Sequence, residues 1–179
     1  LSIHGSKVAQ TIGLGGTGKD MHVTGIELQR ITATGGLRVG SNANGSVTIN
    51  GITAAHSAAV SPTVNIAAKN AGKSVIFATN PSTFTGLLAE GIAGVQMNTP
   101  VTITVGTMQL DGDDDSTGSH ELTFTDATVV TAVTALTLKA SSGKIVPVGT
   151  LTLTSTSGIY ISDNMLGKNN AKALVINSD

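Results

Sequence analysis

Apolar and polar residues alternate along this chain in short runs, and each run ends at a turn built from Gly, Asn, Asp or Ser. Val47-Thr48-Ile49-Asn50-Gly51 shows the unit. Val101-Thr102-Ile103-Thr104-Val105-Gly106, Leu122-Thr123-Phe124-Thr125-Asp126, Leu136-Thr137-Leu138 and Leu151-Thr152-Leu153-Thr154 repeat it. Alternation with a period of two marks a strand that buries one face and wets the other. Further strands are expected at residues 23–26, 37–39, 63–66, 74–78, 95–97 and 173–176. The turns carry Asn44-Gly45, Asn50-Gly51 and Asn70-Ala71-Gly72, residue types that accept tight, left-handed corners. Segments 25–33 and 84–91 lack clear caps and a sustained helical period, so they read as strands or turns.

The unit returns head to tail. Leu136-Thr137-Leu138-Lys139-Ala140-Ser141-Ser142-Gly143 parallels Leu151-Thr152-Leu153-Thr154-Ser155-Thr156-Ser157-Gly158. Each leads into another apolar run, Lys144-Ile145-Val146 in one case and Ile159-Tyr160-Ile161 in the other. Such recurrence predicts an all-β chain that winds, a parallel β-helix or β-solenoid, rather than one that meanders. An antiparallel β-sandwich is the alternative, because it too strings short strands between turns. Aromatic residues make up only 2% of the 179 residues, and there is no Trp. That scarcity favours the solenoid, whose core can be built from ladders of small branched side chains. Residues 1–179 are expected to form a single solenoid domain. Leu1-Ser2-Ile3 and Leu174-Val175-Ile176 read as strands cut from a longer array, with Leu1, Ile3, Leu174 and Ile176 at its assembly ends.

Charge is sparse, at 12% of residues with a net of -1. A nucleic-acid surface needs clustered Lys and Arg, and Arg30 and Arg38 are the only arginines. No stretch approaches the about 18 apolar residues that mark a membrane-spanning helix. The chain has no Cys and so no disulfide framework. Sparse charge and a Thr/Ser/Asn-rich surface point to the cell surface or the extracellular space.

Several motifs carry residue types able to do chemistry. Gly13-Leu14-Gly15-Gly16-Thr17-Gly18-Lys19-Asp20 satisfies two phosphate-loop patterns. Asp20 replaces the hydroxyl that such a loop places on magnesium, and no long helix follows, so the segment reads as a plain turn. Asp111-Gly112-Asp113-Asp114-Asp115 is the densest acidic run. Carboxylates at alternate positions can converge on calcium, which makes Asp111, Asp113 and Asp115 the candidate ligands. His4, His22, His56 and His120 show no metal-ligand spacing. No nucleophile elbow is present, and no catalytic residue is assigned. Asn44-Gly45-Ser46 is a glycosylation sequon, relevant where the source has that pathway. Paired Thr at 102/104, 123/125 and 152/154 would form rows on one face if stacked, an arrangement able to order water.

The runs Ile26-Glu27-Leu28-Gln29-Arg30-Ile31-Thr32-Ala33 and Gly45-Ser46-Val47-Thr48-Ile49-Asn50-Gly51-Ile52 resemble the repeats of large secreted β-solenoid proteins. The end of the chain, from Leu151-Thr152-Leu153-Thr154 to Ile161-Ser162-Asp163-Asn164, does so too. The style is that of filamentous-haemagglutinin and autotransporter-adhesin repeats. The resemblance implies a right-handed β-helix, secretion, and a role in adhesion or fibre building, with no catalytic residues to carry over. The expected function is therefore a structural module of an extracellular filament or adhesin. Its partners would be further copies or tandem repeats of itself, and possible surface glycans. Two other classes stay open: a carbohydrate- or ice-binding solenoid surface, and a β-helix polysaccharide-degrading enzyme, which would need clustered carboxylates beside Lys or Arg.

Overall fold

The structure is a computed structural model that describes residues 1–169 and 172–178. It is built mostly of strands, which fall into three sheets. Numbered in chain order, the first sheet runs β1 (Ser2–Ile3), β4 (Leu37–Ser41), β6 (Val64–Ala68), β9 (Leu87–Gly91), β12 (Met108–Asp111), β15 (Leu136–Lys139), β18 (Ile159–Ile161). The second runs β16 (Lys144–Pro147), β13 (Glu121–Phe124), β10 (Val95–Met97), β7 (Val75–Phe77), β5 (Val47–Asn50), β2 (Ile12–Gly15), β3 (Met21–Val23). The third runs β19 (Leu174–Ser178), β17 (Leu151–Ser155), β14 (Thr128–Ala132), β11 (Val101–Ile103), β8 (Ser82–Phe84). Among the described residues every strand pair is parallel, as in β6 with β9 or β13 with β16. The antiparallel sandwich is thereby corrected. From β6 to β18 the chain visits the first, second and third sheets in turn.

Parallel register stacks like on like. In the first sheet one column reads Leu37, Val64, Leu87, Met108, Leu136, Ile159. In the second, another reads Leu14, Ile49, Phe77, Met97, Phe124. In the third, Val101, Val130, Leu153 and Ile176 align. These columns meet in one hydrophobic cluster, and all three Phe of the chain (Phe77, Phe84, Phe124) are fully buried in it. Each such side chain removed from water contributes roughly 1.5–3 kcal/mol before its entropy cost. Few rings are needed, because a column of branched aliphatics fills the space at every strand spacing.

Two short helices, α1 (Gly25–Gln29) and α2 (Ala54–Ser57), correct the strand-or-turn expectation for 25–33 and the strict all-β one. Thr24 caps α1. Its hydroxyl accepts the Glu27 N–H at 3.2 Å, and the Glu27 carboxylate accepts the Thr24 N–H at 2.8 Å. This is a reciprocal capping box, T-x-x-E in sequence. Gly25 allows the two helices to pack, since a Cβ there would strike the His56 ring. Segment 84–91 is strand, as expected, split between β8 and β9.

The matched segments of the sequence do not stack on each other. β15 lies in the first sheet and β17 in the third. Their likeness is that of any strand, corner and strand.

Phe77→Ala should destabilise the fold by about 3–5 kcal/mol, the usual cost of emptying a buried aromatic site. Tyr160→Ala, at an exposed position, should change stability by no more than about 0.5 kcal/mol. Urea unfolding midpoints with unchanged slopes would check both.

Candidate functional site

Two regions collect the chain's unusual chemistry: an ionic corner beside the first sheet, and the end of the sheets formed by the last strands. In the corner, register places Ala67, Glu90, Asp111 and Lys139 side by side across β6, β9, β12 and β15. Glu90 and Asp111 are neighbours of like charge, which is destabilising unless cations intervene. Lysines supply them. Lys69 lies 3.0 Å from Glu90 and 3.2 Å from Asp114, and Lys139 lies 2.9 Å from Asp111. The Asp111 side chain is 3% exposed, so its partner matters more than a surface partner would.

Both lysines respond in the expected direction. The hydrogen bond from Lys139 to Asp111 lifts its pKa above the ordinary 10.5, against the opposing effect of burial. Burial acts most strongly on Lys69 and would lower it, but Glu90 and Asp114 together outweigh burial and raise it.

The three candidate calcium ligands are drawn to different partners. Asp111 accepts from Lys139 and from the Asp113 N–H. Asp113 is fully buried, and one of its oxygens accepts the N–H and hydroxyl of Ser142, each at 2.5 Å. Its other oxygen has no hydrogen-bond partner. Asp115 accepts the Thr117 N–H within its own turn. Among the described residues no group of three His, Asp or Glu side chains gathers as a metal site. The two ammonium groups already bring positive charge to this corner. Lys69, Glu90 and Lys139 were not singled out from the sequence. The signal was their register, hidden by uneven spacing between strands of one sheet.

The other candidates fall in separate places. Asn44 is buried, and its amide closes a turn by accepting the Ser41 N–H and donating to the Gly45 carbonyl. A glycan there would require that turn to open. The Gly-rich segment is part strand, since Gly13 to Gly15 belong to β2. Asp20 accepts from the N–H and hydroxyl of Thr11 at 3.0 and 2.7 Å, which holds its carboxyl below the usual range. His22 contacts the Gly15 carbonyl, and His56 accepts the Thr53 N–H at the start of α2. Of the Thr rows, one column forms on the third sheet: Thr83, Thr102, Thr131 and Thr154. The adjacent column is Val129, Thr152 and Val175, which is not a second Thr row.

At the end of the sheets, β18 and β19 are edge strands, and residues 164–168 run along β16 through the Ile145–Met165 bridge. Core-facing positions are uncovered here. Ile161, Leu174 and Ile176 continue the buried columns of Leu138, Leu151 and Leu153, yet they are 37%, 45% and 50% exposed. At the opposite end β3 lies outside β2, and Ile12 and Leu14 beneath it are fully buried. Leu1 is exposed there and Ile3 is partly buried on edge strand β1.

Comparisons with protein-family models, with curated proteins and with solved structures find no match for this chain.

Lys139→Met should destabilise the chain by about 1–3 kcal/mol at neutral pH, because it strands the buried Asp111 charge. The sign with pH follows from the raised lysine pKa. The pair's contribution is complete below the unfolded lysine value and is lost as pH rises through the raised folded value. Wild type should therefore lose stability above about pH 10.5, and the variant should lose less over the same alkaline range. Urea melts from pH 7 to 11 would show whether the two curves converge.

Proposed function

We propose that the chain is a right-handed parallel β-helix and serves as a structural module of an extracellular filament or adhesin. In this reading the rotation of the chain through three parallel sheets is the winding of successive coils. Stability comes from ladders, not from a catalytic or ligand-bearing core, and the module has no enzymatic role. Sparse charge and Thr-rich outer faces support a place outside the cell.

The observation that carries the proposal is the uncovered end. Core columns of the first and third sheets run out at Ile161, Leu174 and Ile176, and edge strands β18 and β19 offer unpaired backbone groups to a further strand. A partner that continues the parallel ladders of the first and third sheets fits this end. Another copy, or a tandem repeat of the same chain, supplies such ladders. This is strand addition used for assembly, with affinity from main-chain bonds and selectivity from the apolar columns.

Negative-stain electron microscopy and sedimentation of the purified chain test the reading. The wild type should form end-to-end chains at micromolar concentration. Ile176→Lys, at a half-exposed edge position, should stay folded and remain single. A wild type that stays monomeric, or a lysine variant that assembles equally well, overturns the proposal.

A further inference from the structure

We infer that the outer face of the third sheet binds ice. Register builds this face. Thr83, Thr102, Thr131 and Thr154 stand side by side across β8, β11, β14 and β17, with Asn177 of β19 next in the row. Two residues on from each Thr, at the strand ends, come Thr85, Thr104, Val133 and Thr156. The residues between, Phe84, Ile103, Ala132 and Ser155, are buried, so both sets of positions face outward. Backbone bonds still join neighbours at the strand ends. The Thr104 N–H donates to the Phe84 carbonyl at 2.9 Å, and the Thr156 N–H to the Val133 carbonyl at 3.3 Å. Val133 is the one departure from Thr, and it differs by a methyl in place of the hydroxyl.

Two regular spacings follow. Neighbouring strands lie about 4.8 Å apart, and alternate residues of one strand about 6.6 Å apart. Oxygens on a prism plane of hexagonal ice repeat at a pair of distances close to these. The hydroxyls suit ordered water as well. Among the described residues, those of Thr83, Thr102, Thr131 and Thr154 have no protein partner. Each therefore offers both a donor and an acceptor to water. In the second row the protons are already placed. Thr85 donates to the Val60 carbonyl at 2.6 Å, Thr104 to the Phe84 carbonyl at 3.3 Å, and Thr156 to the Val133 carbonyl. Their oxygens remain acceptors of fixed position. A side chain held in this way loses little freedom when the water above it orders.

Other occupants fit this face less well. The five strands of the sheet contain no Asp, Glu, Lys or Arg, and their one aromatic ring, Phe84, is buried. An anionic ligand finds no charge to pair with, and a sugar ring finds no platform to stack on. Strand spacing and rise make the face about 20 Å by 15 Å. That is well below the about 800 Å² that a stable protein partner buries on each side. A crystal plane of ice is uncharged and periodic, as this face is. The face lies on the side of the sheets rather than at their open end, so the inference does not rest on the assembly proposal.

Nanolitre osmometry and partition into slowly grown ice test the inference on the purified chain. The wild type should hold a seed crystal without growth below its melting point, facet it, and concentrate in the ice. An inert protein at equal concentration should do none of these. Thr131→Lys, in the middle of the row, should lose most of the freezing gap and of the partition. Thr137→Lys, on the outer face of the first sheet, should keep both. Thr102→Tyr places another good strand former in the row and reads the same loss should the first lysine variant unfold. A wild type that behaves as the inert protein overturns the inference. So does a Thr131→Lys variant, folded by circular dichroism, that keeps full activity, or a Thr137→Lys variant that loses as much.

Discussion

Every feature of this molecule depends on the parallel backbone ladder that joins each strand to the next strand of its own sheet. The ladder fixes spacing, so that any residue stands one strand separation from its register partners. Inside, this rewards side chains that pack well against copies of themselves. Val, Ile and Leu do so, and the column from Leu37 to Ile159 consists of such residues with one Met among them. Large rings enter with a flexible side chain between them, as Met97 stands between Phe77 and Phe124 in one column. Corners absorb the uneven lengths. Gly40, inside β4, shows how closely neighbouring strands approach: its φ is +102°, and a Cβ there would collide with the Ala67 carbonyl one strand away.

The same ladder imposes a cost on charge. A residue that faces outward also faces its partners above and below. Glu90 beside Asp111 is the consequence, and Lys69 and Lys139 are the remedy. Asp113 adds a fully buried carboxylate whose two bonds to Ser142 tie the loop after β12 to the corner before β16. The acidic run is therefore better understood as the joinery of a corner than as a cluster facing solvent. Asn65, one row along on β6, is tied to the same network, its amide donating to Glu90 at 3.2 Å.

Much of the strand content was legible because period-two alternation follows directly from one buried face. Val47-Thr48-Ile49 and Leu151-Thr152-Leu153-Thr154 lie in β5 and β17 as read. The helix at Gly25 was not legible in that way. Its capping box, Thr24 and Glu27, was present, but a glycine immediately after the cap and a length of five residues left no apolar period to detect. Sheet membership was also hidden. Leu136 and Leu151 begin nearly identical segments, yet the first faces β12 and the second faces β14. Local sequence records a strand and its corner, whereas register is set by partners some twenty or more residues away. The ionic corner has that cause, since register alone brings Glu90, Asp111 and Lys139 together.

The two ends of the sheets differ, and the difference bears on polarity. At one end β3 pairs with β2 and α1 packs on α2, and Leu14 of β2 and Leu28 of α1 are fully buried. At the other end Leu174 and Ile176 are not covered. A joint between copies that used the exposed end twice would bring together two apolar edges related by a twofold axis and would then stop. A joint between unlike ends propagates, but it must set α1 of one copy against β19 of the next. The fold already contains a contact of that type. On the third side of the molecule α2 packs on β8, with the Ser57 hydroxyl donating to the Thr83 carbonyl at 3.2 Å. A helix therefore can close the edge of this sheet, and α1 carries an exposed apolar residue, Ile26. On these grounds the propagating joint, rather than the self-limiting one, is the arrangement that repeats a contact the chain itself makes.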